Sequence, residues 1–340
     1  MGHTTKLILP VFILFVFGLI MIFNATSAEL IDHFQEKKAF IPLLRQIFYG
    51  FFGIGIGYFC CRLGYQNALR LSPLFLSVFT ILLAMVFVPY VGTCVNGSRR
   101  WLRICGMSFQ PSEFVKFIIP LYFIYLLPKI QSDSKPLFAF LKILGIVLIP
   151  ILLILLEPNN GTVAVIGIEL IVLCYLAKIS LKYWALPIAI LCLVGGGIAF
   201  NTPYVRSRLN VWLHPENDIR GKGHQPLQAK IASGSGGIFG KGSGKSVQKL
   251  SYLPEAQNDY IAAIYAEEFG FVGIIVLCVL YCWFGLSAFQ IATQAISTKG
   301  LFVATIFSFL LLFQAFLNLA VVSGLVPSTG LNLPFFSQGG

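Results

Sequence analysis

The sequence has 340 residues, of which 57% are hydrophobic and only 11% are charged, and its formal net charge is +11. Soluble domains contain about 25% charged residues, so this composition cannot cover a water-facing surface and excludes a soluble globular protein. The composition predicts an integral membrane protein.

Apolar windows give the predicted elements in chain order. A helix that crosses about 30 Å of hydrocarbon needs about 20 apolar residues, and nine windows meet or approach that length. The nine predicted spans lie near 7–23, 46–61, 71–92, 114–128, 137–156, 162–177, 183–200, 271–289 and 301–325. We therefore expect an all-α fold, a polytopic membrane helix bundle that forms a single domain over residues 1–340. The first span should be retained, because no small-x-small cleavage site follows it.

The number of spans divides the connecting segments between the two sides of the membrane. With nine spans, 93–113, 157–161, 201–270 and the tail after 325 share one side, and 201–270 is a large loop between spans seven and eight. The connectors on the other side are short and basic, which the positive-inside rule assigns to the cytoplasm. The side with the long loop is therefore predicted to be external. Its arginines and lysines, which topology does not favour there, suggest an anionic ligand.

The loop at 93–113 contains "RRWLRI", an amphipathic stretch that places guanidinium groups beside Trp101. Two interpretations stay open. The stretch is either an interfacial anchor that reaches lipid phosphates or a diphosphate site, because guanidinium presents a planar fork of donors. Lys116, just inside span four, is costly in lipid without a polar cavity or a partner, and it favours the diphosphate site. The arginines concerned are Arg99, Arg100 and Arg103.

The long loop contains a Gly-rich run, "SGSGGIFGKGSG", at 233–244. The overlapping "GKGSGKS" is similar to a P-loop, but Phe239 stands at a position that a P-loop needs as glycine. The run is therefore expected to make tight turns, or a nest of backbone N–H groups near an anion.

Acidic residues are rare, and several lie at or within apolar stretches. Glu255 fits the first turn of a helix, and Glu267 and Glu268 read as markers of the water–membrane boundary. Asp259 enters an apolar stretch, where a carboxylate is costly unless it lines a cavity, so it is a candidate functional residue. Glu169 lies alone within span six, where we expect a packing or hydrogen-bonding role.

Four stretches follow one another in a characteristic order: "NGSRRWL", "QPSEFVK", "SGSGGIFGKGSGKSVQKLSYLPEAQNDYIAAIYAEEFGFVG" and "VPSTGLNLPFFSQGG". In this combination the sequence resembles the SEDS family, the FtsW, RodA and SpoVE proteins of bacterial division, elongation and sporulation. The resemblance covers most of the chain from about residue 96 onward. The "LPEA" form is similar to the FtsW division branch.

The resemblance implies a peptidoglycan glycosyltransferase that polymerises lipid II at the external face of the inner membrane, with a class B penicillin-binding transpeptidase as partner. One lipid II offers its GlcNAc 4-hydroxyl, and the growing glycan loses undecaprenyl diphosphate with inversion. Asp259 is the candidate base, since a carboxylate within hydrogen-bond reach can take the hydroxyl proton. A divalent cation near it, Mg²⁺ or Mn²⁺, is left open, and no nucleic-acid partner is expected. The candidate substrate-binding residues are Arg99, Arg100, Arg103, Glu113, Lys116, Gln228, Lys249 and Glu255.

The sequence departs from the family pattern at three places. Gln257, Asn258 and Tyr260 stand where relatives commonly read LPEAHTDF, and "EPNNGT" at 157–162 stands where they often read QPDLGT. Relatives also continue past the last Gly-Gly into a tenth span. This sequence stops at Gly340, so we expect either that the sequence is truncated or that the last helix is missing.

Two other functions are compatible with the same features. A transporter or flippase of the lipid-linked precursor would use a basic cavity, a buried Lys and Gly-broken helices equally well. A scaffold would only recruit division partners through its helices. Polymer formation from purified protein and lipid II separates the enzyme from both alternatives.

Overall fold

The structure, a computed structural model, describes residues 2–31, 40–95, 98–104, 107–132, 135–214, 221, 223–249 and 257–338. Within these residues the chain forms eleven α-helices and one three-stranded sheet. The helices are α1 (His3–Ile31), α2 (Phe40–Leu63), α3 (Tyr65–Val86), α4 (Pro111–Ser132), α5 (Pro136–Leu156), α6 (Asn160–Leu176), α7 (Leu181–Asn201), α8 (Pro203–Leu213), α9 (His224–Ser235), α10 (Ile261–Thr293) and α11 (Thr298–Val322).

Each predicted span overlaps one of these helices, and the chain is a mostly helical membrane protein. Among the described residues, six helices are long and apolar enough to cross a membrane: α1, α2, α3, α5, α10 and α11. Helices α6 and α7 offer shorter apolar stretches, and α4 carries Glu113, Lys116 and Lys129 within an otherwise apolar sequence. The count of nine spans therefore stays a prediction, as does the single domain.

The all-α prediction is wrong for part of 93–113, where the chain forms an antiparallel sheet. Its strands are β1 (Gly92–Val95), β2 (Ser98–Ile104) and β3 (Met107–Phe109), in the order β1-β2-β3. Two residues join each pair of strands, and the first pair is Asn-Gly, a strong hairpin signal. Helix α3 ends at Val86 rather than near 92, and a Cβ on Gly92 would lie only 1.8 Å from the Val86 carbonyl oxygen. Only glycine allows the strand to begin so close to the helix end.

The predicted long loop at 201–270 is partly helical, because it contains α8, α9 and the first turns of α10. Helix α10 begins at Ile261, ten residues before the predicted span near 271. The helix is broken at Gly270, whose backbone angles are φ 67° and ψ −163°. Sequence hydropathy detected only the part after this break, since Glu267 and Glu268 lower the apolar content before it.

The chain packs as two compact units. The first contains residues 1–54, 203–291 and 311–339, and its core is formed mainly by α1, α9, α10 and the end of α11. The second contains 55–202 and 292–310, and its core is formed by α3, α4, α5, α6 and the beginning of α11. The candidate residues therefore fall into two groups, described separately below.

Candidate functional site

Asp259 lies directly before α10, and the chain that follows α11 forms its surroundings. Residues 327–333, here called the 327–333 segment, carry the sequence PSTGLNL. Arg208 of α8 donates from Nη1 to the Ser328 carbonyl oxygen at 2.7 Å. The Ser328 side chain in turn forms a hydrogen bond with the phenol of Tyr260, the residue after Asp259. The segment is thus attached both to α8 and to the start of α10.

Gly330 brings the Asp259 carboxylate and the Arg208 guanidinium to one place. Its φ of 73° is in the left-handed region that favours glycine. A Cβ at this position would lie 3.7 Å from Asp259 Oδ2 and 3.8 Å from Arg208 Nη2. One carboxylate oxygen and one guanidinium nitrogen therefore border the same small volume, where a ligand could meet an acceptor and a cation together.

Two amides of α11 hold the 327–333 segment from the other side. Asn318 Nδ2 donates to the Leu331 carbonyl oxygen at 2.7 Å and to the Asp259 carbonyl oxygen at 2.9 Å. Gln314, one helical turn earlier, donates from Nε2 to the Asn332 carbonyl oxygen at 2.8 Å. Both side chains are buried, with exposed fractions of 1% for Asn318 and 5% for Gln314.

Of the two neighbouring groups Asp259 and Tyr260, the Asp259 carboxylate is the better candidate for a proton acceptor. Tyr260 is buried, and burial followed by the Asp259 charge raises the pKa of its phenol to about 12, although Arg208 and the hydrogen bond with Ser328 lower it. The phenol therefore stays protonated and cannot act as a base near neutral pH. It serves instead to hold Ser328.

The Gly-rich loop is bound to the break in α10. Residues 236–249 are here called the clasp loop. In a regular helix the N–H groups of Phe271 and Val272 would donate to the carbonyl oxygens of Glu267 and Glu268, but here all four groups bond to the clasp loop instead. Loop N–H groups donate to the freed carbonyls, and loop carbonyls accept from the freed N–H groups. The four bonds run from Lys241 N to Glu267 O (3.0 Å), Gly242 N to Glu268 O (3.0 Å), Phe271 N to Gly237 O (2.9 Å) and Val272 N to Ile238 O (3.1 Å).

Glycines allow this close approach of two backbones. A Cβ on Gly240 would lie 2.1 Å from the Glu268 carbonyl oxygen, and one on Gly270 would lie 2.3 Å from Gly240 N. Both glycines also have positive φ, 79° and 67°. The run "SGSGGIFGKGSG" therefore makes tight turns, which was one of the two expectations for it.

Glu267 locks the clasp loop through its side chain. The carboxylate is fully buried and accepts five hydrogen bonds from donors before and within the loop. The donors are Lys241 Nζ (2.6 Å), Ser246 Oγ (2.5 Å), Ser235 Oγ (3.3 Å), Val247 N (3.3 Å) and Gln248 N (3.2 Å). The interpretation of Glu267 as a marker of the water–membrane boundary stays a prediction, and the structure adds that its carboxylate is buried and accepts hydrogen bonds from the protein.

Glu268 has a similar role beside the break in α10, and the boundary interpretation stays a prediction for it as well. Its carboxylate, 1% exposed, accepts from Asn24 of α1 at 2.6 Å and from Lys249 at 3.1 Å. The Lys249 ammonium also donates to Asn24 Oδ1 at 2.6 Å and to the Gly244 carbonyl oxygen at 2.7 Å. Three acceptors thus surround the Lys249 ammonium, which was predicted as a substrate ligand.

The three candidate arginines lie on β2 and point in different directions. Arg100 donates from Nε to the Glu157 carbonyl oxygen at 2.8 Å and from Nη2 to the Pro158 carbonyl oxygen at 2.7 Å. These carbonyls follow the last residue of α5, so Arg100 acts as a cap for that helix. Arg99 and Arg103 are exposed, and both interpretations of the loop remain possible for them.

Lys116 has a partner within its own helix. Its ammonium, 3% exposed, forms an ion pair with Glu113 at 2.5 Å, one turn earlier on α4. The pair accounts for the burial of Lys116, so the burial alone no longer indicates an anion site. Among the remaining candidates, Gln228 lies half-buried on α9, and Glu255 lies outside the described residues.

Two buried carboxyl groups of the second unit lack such partners. Glu157, between α5 and α6, is 1% exposed, and Glu169 within α6 is fully buried. Neither carboxyl group has a hydrogen-bond partner in the described structure, so of the packing or hydrogen-bonding role expected for Glu169 the buried position supports packing. Burial raises the pKa of Glu157 to about 8, and the nearby Arg100 charge lowers it by less. Glu157 is therefore mostly protonated at neutral pH.

Sequence reasoning missed the residues that surround Asp259: Arg208, Asn318, Ser328 and Gly330. Arg208 was only one of many cations in a long loop. Asn318 offered a usable signal, because an amide within an apolar helix is costly unless it is hydrogen-bonded. Over the described residues, no group of three or more His, Cys, Asp or Glu side chains could hold a metal ion.

Comparison with known proteins places these features in a family. The family described as "Cell cycle protein", which groups FtsW, RodA and SpoVE, matches residues 5–340. The chain is similar to "Probable peptidoglycan glycosyltransferase FtsW" of Trichlorobacter lovleyi, with 35% identity over 98% of this chain and 87% of that protein. It is also similar to "Stage V sporulation protein E" of Bacillus subtilis, with 34% identity over 98% of this chain and 91% of that protein.

Two solved structures share the fold. A chain of the structure described as "Structural coordination of polymerization and crosslinking by a peptidoglycan synthase complex" matches with a TM-score of 0.76 and 24% identity, over 98% of this chain and 91% of that one. The rod shape determining protein RodA of Thermus thermophilus matches with a TM-score of 0.69 and 23% identity, over 98% and 90%. At these identities the likeness shows the fold alone.

Proposed function

Because the chain belongs to the FtsW, RodA and SpoVE family, we propose that it is a peptidoglycan glycosyltransferase. The observation that carries the proposal is the position of Asp259, whose carboxylate borders the volume above Gly330 together with the Arg208 guanidinium. Glycosyl transfer from a lipid diphosphate needs both a proton acceptor and a cation. The place before α10 offers both.

The proposed substrate is lipid II, and the proposed reaction is its polymerisation into glycan strands. The GlcNAc 4-hydroxyl oxygen of one lipid II attacks the anomeric carbon of the growing glycan. A new C–O bond forms, the bond to undecaprenyl diphosphate breaks, and the anomeric configuration inverts. Asp259 takes the hydroxyl proton, a contribution of typically about 10²–10⁴-fold to the rate.

The leaving diphosphate carries developing negative charge that a guanidinium can stabilise. Arg208 is the cation that supports this role, because Nη2 borders the same volume as the Asp259 carboxylate while Nη1 is held by Ser328. Arg99 and Arg103 remain proposed contacts for lipid II, whereas Arg100 has a structural role at the end of α5. Glu113, Lys116, Gln228, Lys249 and Glu255 stay predictions.

The proposed setting is the external face of the bacterial inner membrane at the division septum. It is supported by relatives named FtsW. A class B penicillin-binding transpeptidase is the proposed partner, by extension from the resemblance and from the peptidoglycan synthase complex of the structural neighbour. Membrane lipid is the proposed surrounding of the six helices that are long and apolar enough to cross a membrane.

Transport of lipid II is the second candidate function, because one structural feature favours it. Helix α10 is broken at Gly270, and two ion pairs whose carboxylates are buried lie beside the break. Broken helices with charged groups at membrane depth are typical of transporters. Translocation of labelled lipid II in vesicles, without polymer, would identify this function.

The test of the proposed function is polymerisation of lipid II by purified protein, with and without the cognate transpeptidase. Asp259→Asn keeps the size of the side chain but removes the proton acceptor, so polymerisation should fall by about 10²–10⁴-fold. Asp259→Glu, which keeps the charge, should retain part of the activity. A parent-like rate in Asp259→Asn, with normal insertion, would show that Asp259 is not the base.

A further inference from the structure

Asn318 joins two segments that meet at the proposed base. Both bonds come from one nitrogen, which reaches the Asp259 carbonyl oxygen 59 residues earlier and the Leu331 carbonyl oxygen 13 residues later. An Nδ2 group has two hydrogens, so both are used. The side chain is 1% exposed, so water does not compete for these bonds.

The other half of the same amide is unsatisfied. Asn318 Oδ1 is buried and has no hydrogen-bond partner in the described structure. Leaving a buried acceptor unpaired destabilises the folded state, so an amide is a poor choice if this position only had to stabilise the fold. An amide is useful here because its two N–H donors fix the Asp259 and Leu331 carbonyl oxygens relative to each other.

Gln314 provides an internal comparison. It lies one turn earlier on α11, is also buried, and donates to Asn332, the residue after Leu331. The two amides therefore hold consecutive carbonyls of the 327–333 segment. Asn318 in addition holds the peptide of Asp259.

We propose that Asn318 is a positioning residue for Asp259. It fixes the Asp259 peptide against the 327–333 segment, whose Gly330 borders the Asp259 carboxylate. This inference rests on the proposed function. A misplacement of about 1 Å at a reacting group can cost about 10²-fold in rate, so loss of these two bonds should act on turnover more than on substrate binding.

The experiment compares Asn318→Leu with the matched control Gln314→Met. The leucine keeps the approximate volume and removes both donors. We expect kcat for lipid II polymerisation to fall about 10–100-fold, with KM within about threefold of the parent value. Gln314→Met, which removes the bond to Asn332 and leaves both bonds of Asn318 in place, should keep kcat within about threefold.

A pH–rate profile separates positioning from a general loss of folded protein. A smaller active fraction lowers the whole profile without moving it, whereas a displaced base also changes the position of the acid limb. Asn318→Ser, which cannot reach both carbonyls, is measured in parallel in case the leucine variant fails to insert. We expect both variants to move the acid limb.

The outcomes distinguish the two proposals. If Asp259→Asn is inactive while Asn318→Leu and Asn318→Ser match Gln314→Met in kcat and profile, the positioning role is overturned and the base assignment stands. If Asp259→Asn polymerises at the parent rate, the base assignment fails and the positioning role falls with it, whereas a parent protein that forms no polymer would overturn the proposed function. A reduced kcat with an unmoved acid limb would also overturn the positioning role.

Discussion

Four buried glutamates divide into two pairs with opposite surroundings. Glu267 and Glu268 on α10, and Glu157 and Glu169 in the second unit, are each exposed by 1% or less. The first pair accepts hydrogen bonds from lysines, serines, an asparagine and backbone N–H groups. The carboxyl groups of the second pair have no hydrogen-bond partner in the part of the chain that the structure describes.

The difference shows that burial alone does not define the role of an acid in this protein. At the α10 break, the clasp loop supplies donors, so the charged carboxylates hold the loop. At Glu157, the nearby Arg100 donates to backbone carbonyls instead of the carboxyl group, and burial keeps that group largely protonated near neutral pH. A buried acid is ionic where the chain provides donors and neutral where it does not.

The largest effect is expected for Glu267→Ala. The substitution leaves the Lys241 ammonium, the Ser246 hydroxyl and two loop N–H groups without their acceptor. Each buried donor left without its acceptor costs about 1–3 kcal/mol. Because several donors lose their acceptor together, the free energy of unfolding should fall by about 3 kcal/mol or more. Thermal unfolding in detergent measures it, and protease cleavage within the clasp loop should increase.

Lys245→Ala is the control for this prediction. Lys245 lies in the same loop, and its side chain is exposed. Its removal should leave both the unfolding temperature and the cleavage rate near the parent values. If Glu267→Ala unfolds at the same temperature as Lys245→Ala, the clasp does not depend on the buried carboxylate, and the contrast between the two pairs of glutamates is lost.

The sequence allowed the helices to be predicted but not the clasp, for a physical reason. Hydropathy is a property of one window of about 20 residues, and each predicted window overlaps a helix. The contacts of Glu267 with Lys241 and Ser246 join residues 26 and 21 positions apart. No local pattern determines such a pairing, because it depends on how α10 breaks.

The same limit applies to the candidate site. Asp259 could be singled out because a carboxylate entering an apolar stretch is rare and costly. Asn318 and Arg208, which meet it through the fold, are 59 and 51 residues away in sequence. The hairpin at 92–109 differs, since its Asn-Gly pair was a local signal that predicted a turn. The all-α prediction missed this sheet because it rested on the amphipathic arginine stretch and not on the turn residues.

A smaller effect is expected for Arg100→Ala, which removes the two bonds beyond the end of α5. Arg100 is half-buried, so the loss should be about 1.5–3 kcal/mol, the range for a hydrogen bond with a charged donor. Arg100→Lys should recover little, because an ammonium cannot reproduce a fork aimed at two carbonyls. The unfolding temperature measures both variants.

Arg103→Ala serves as the stability control, since Arg103 lies on the same strand and is exposed. We expect its unfolding temperature to stay near that of the parent. The capping role would be contradicted if Arg100→Ala unfolds like Arg103→Ala and yet loses lipid II turnover. That result would favour the diphosphate interpretation of Arg100. The bonds from Arg100 to two backbone carbonyls would then no longer explain why the Glu157 carboxyl group receives no hydrogen bond.

The smallest effect at low pH, and the most direct test of the comparison, is expected for Glu157→Gln measured as a function of pH. The pKa of Glu157 is about 8 in the folded protein and 4.5 in the absence of burial. Between these values the folded state binds a proton that the unfolded state has lost, so the group makes the parent less stable as pH rises. Below about pH 4.5 the carboxyl group is protonated in both states. Glutamine is always neutral, so the variant should be closest to the parent at the low end of this range, and its advantage in unfolding temperature should grow as the pH rises to 8. Lys245→Ala should follow the parent at every pH. A difference that stays constant from pH 5 to 8 would mean that Glu157 is ionised throughout this range, as we expect only for carboxylates that the chain supplies with donors.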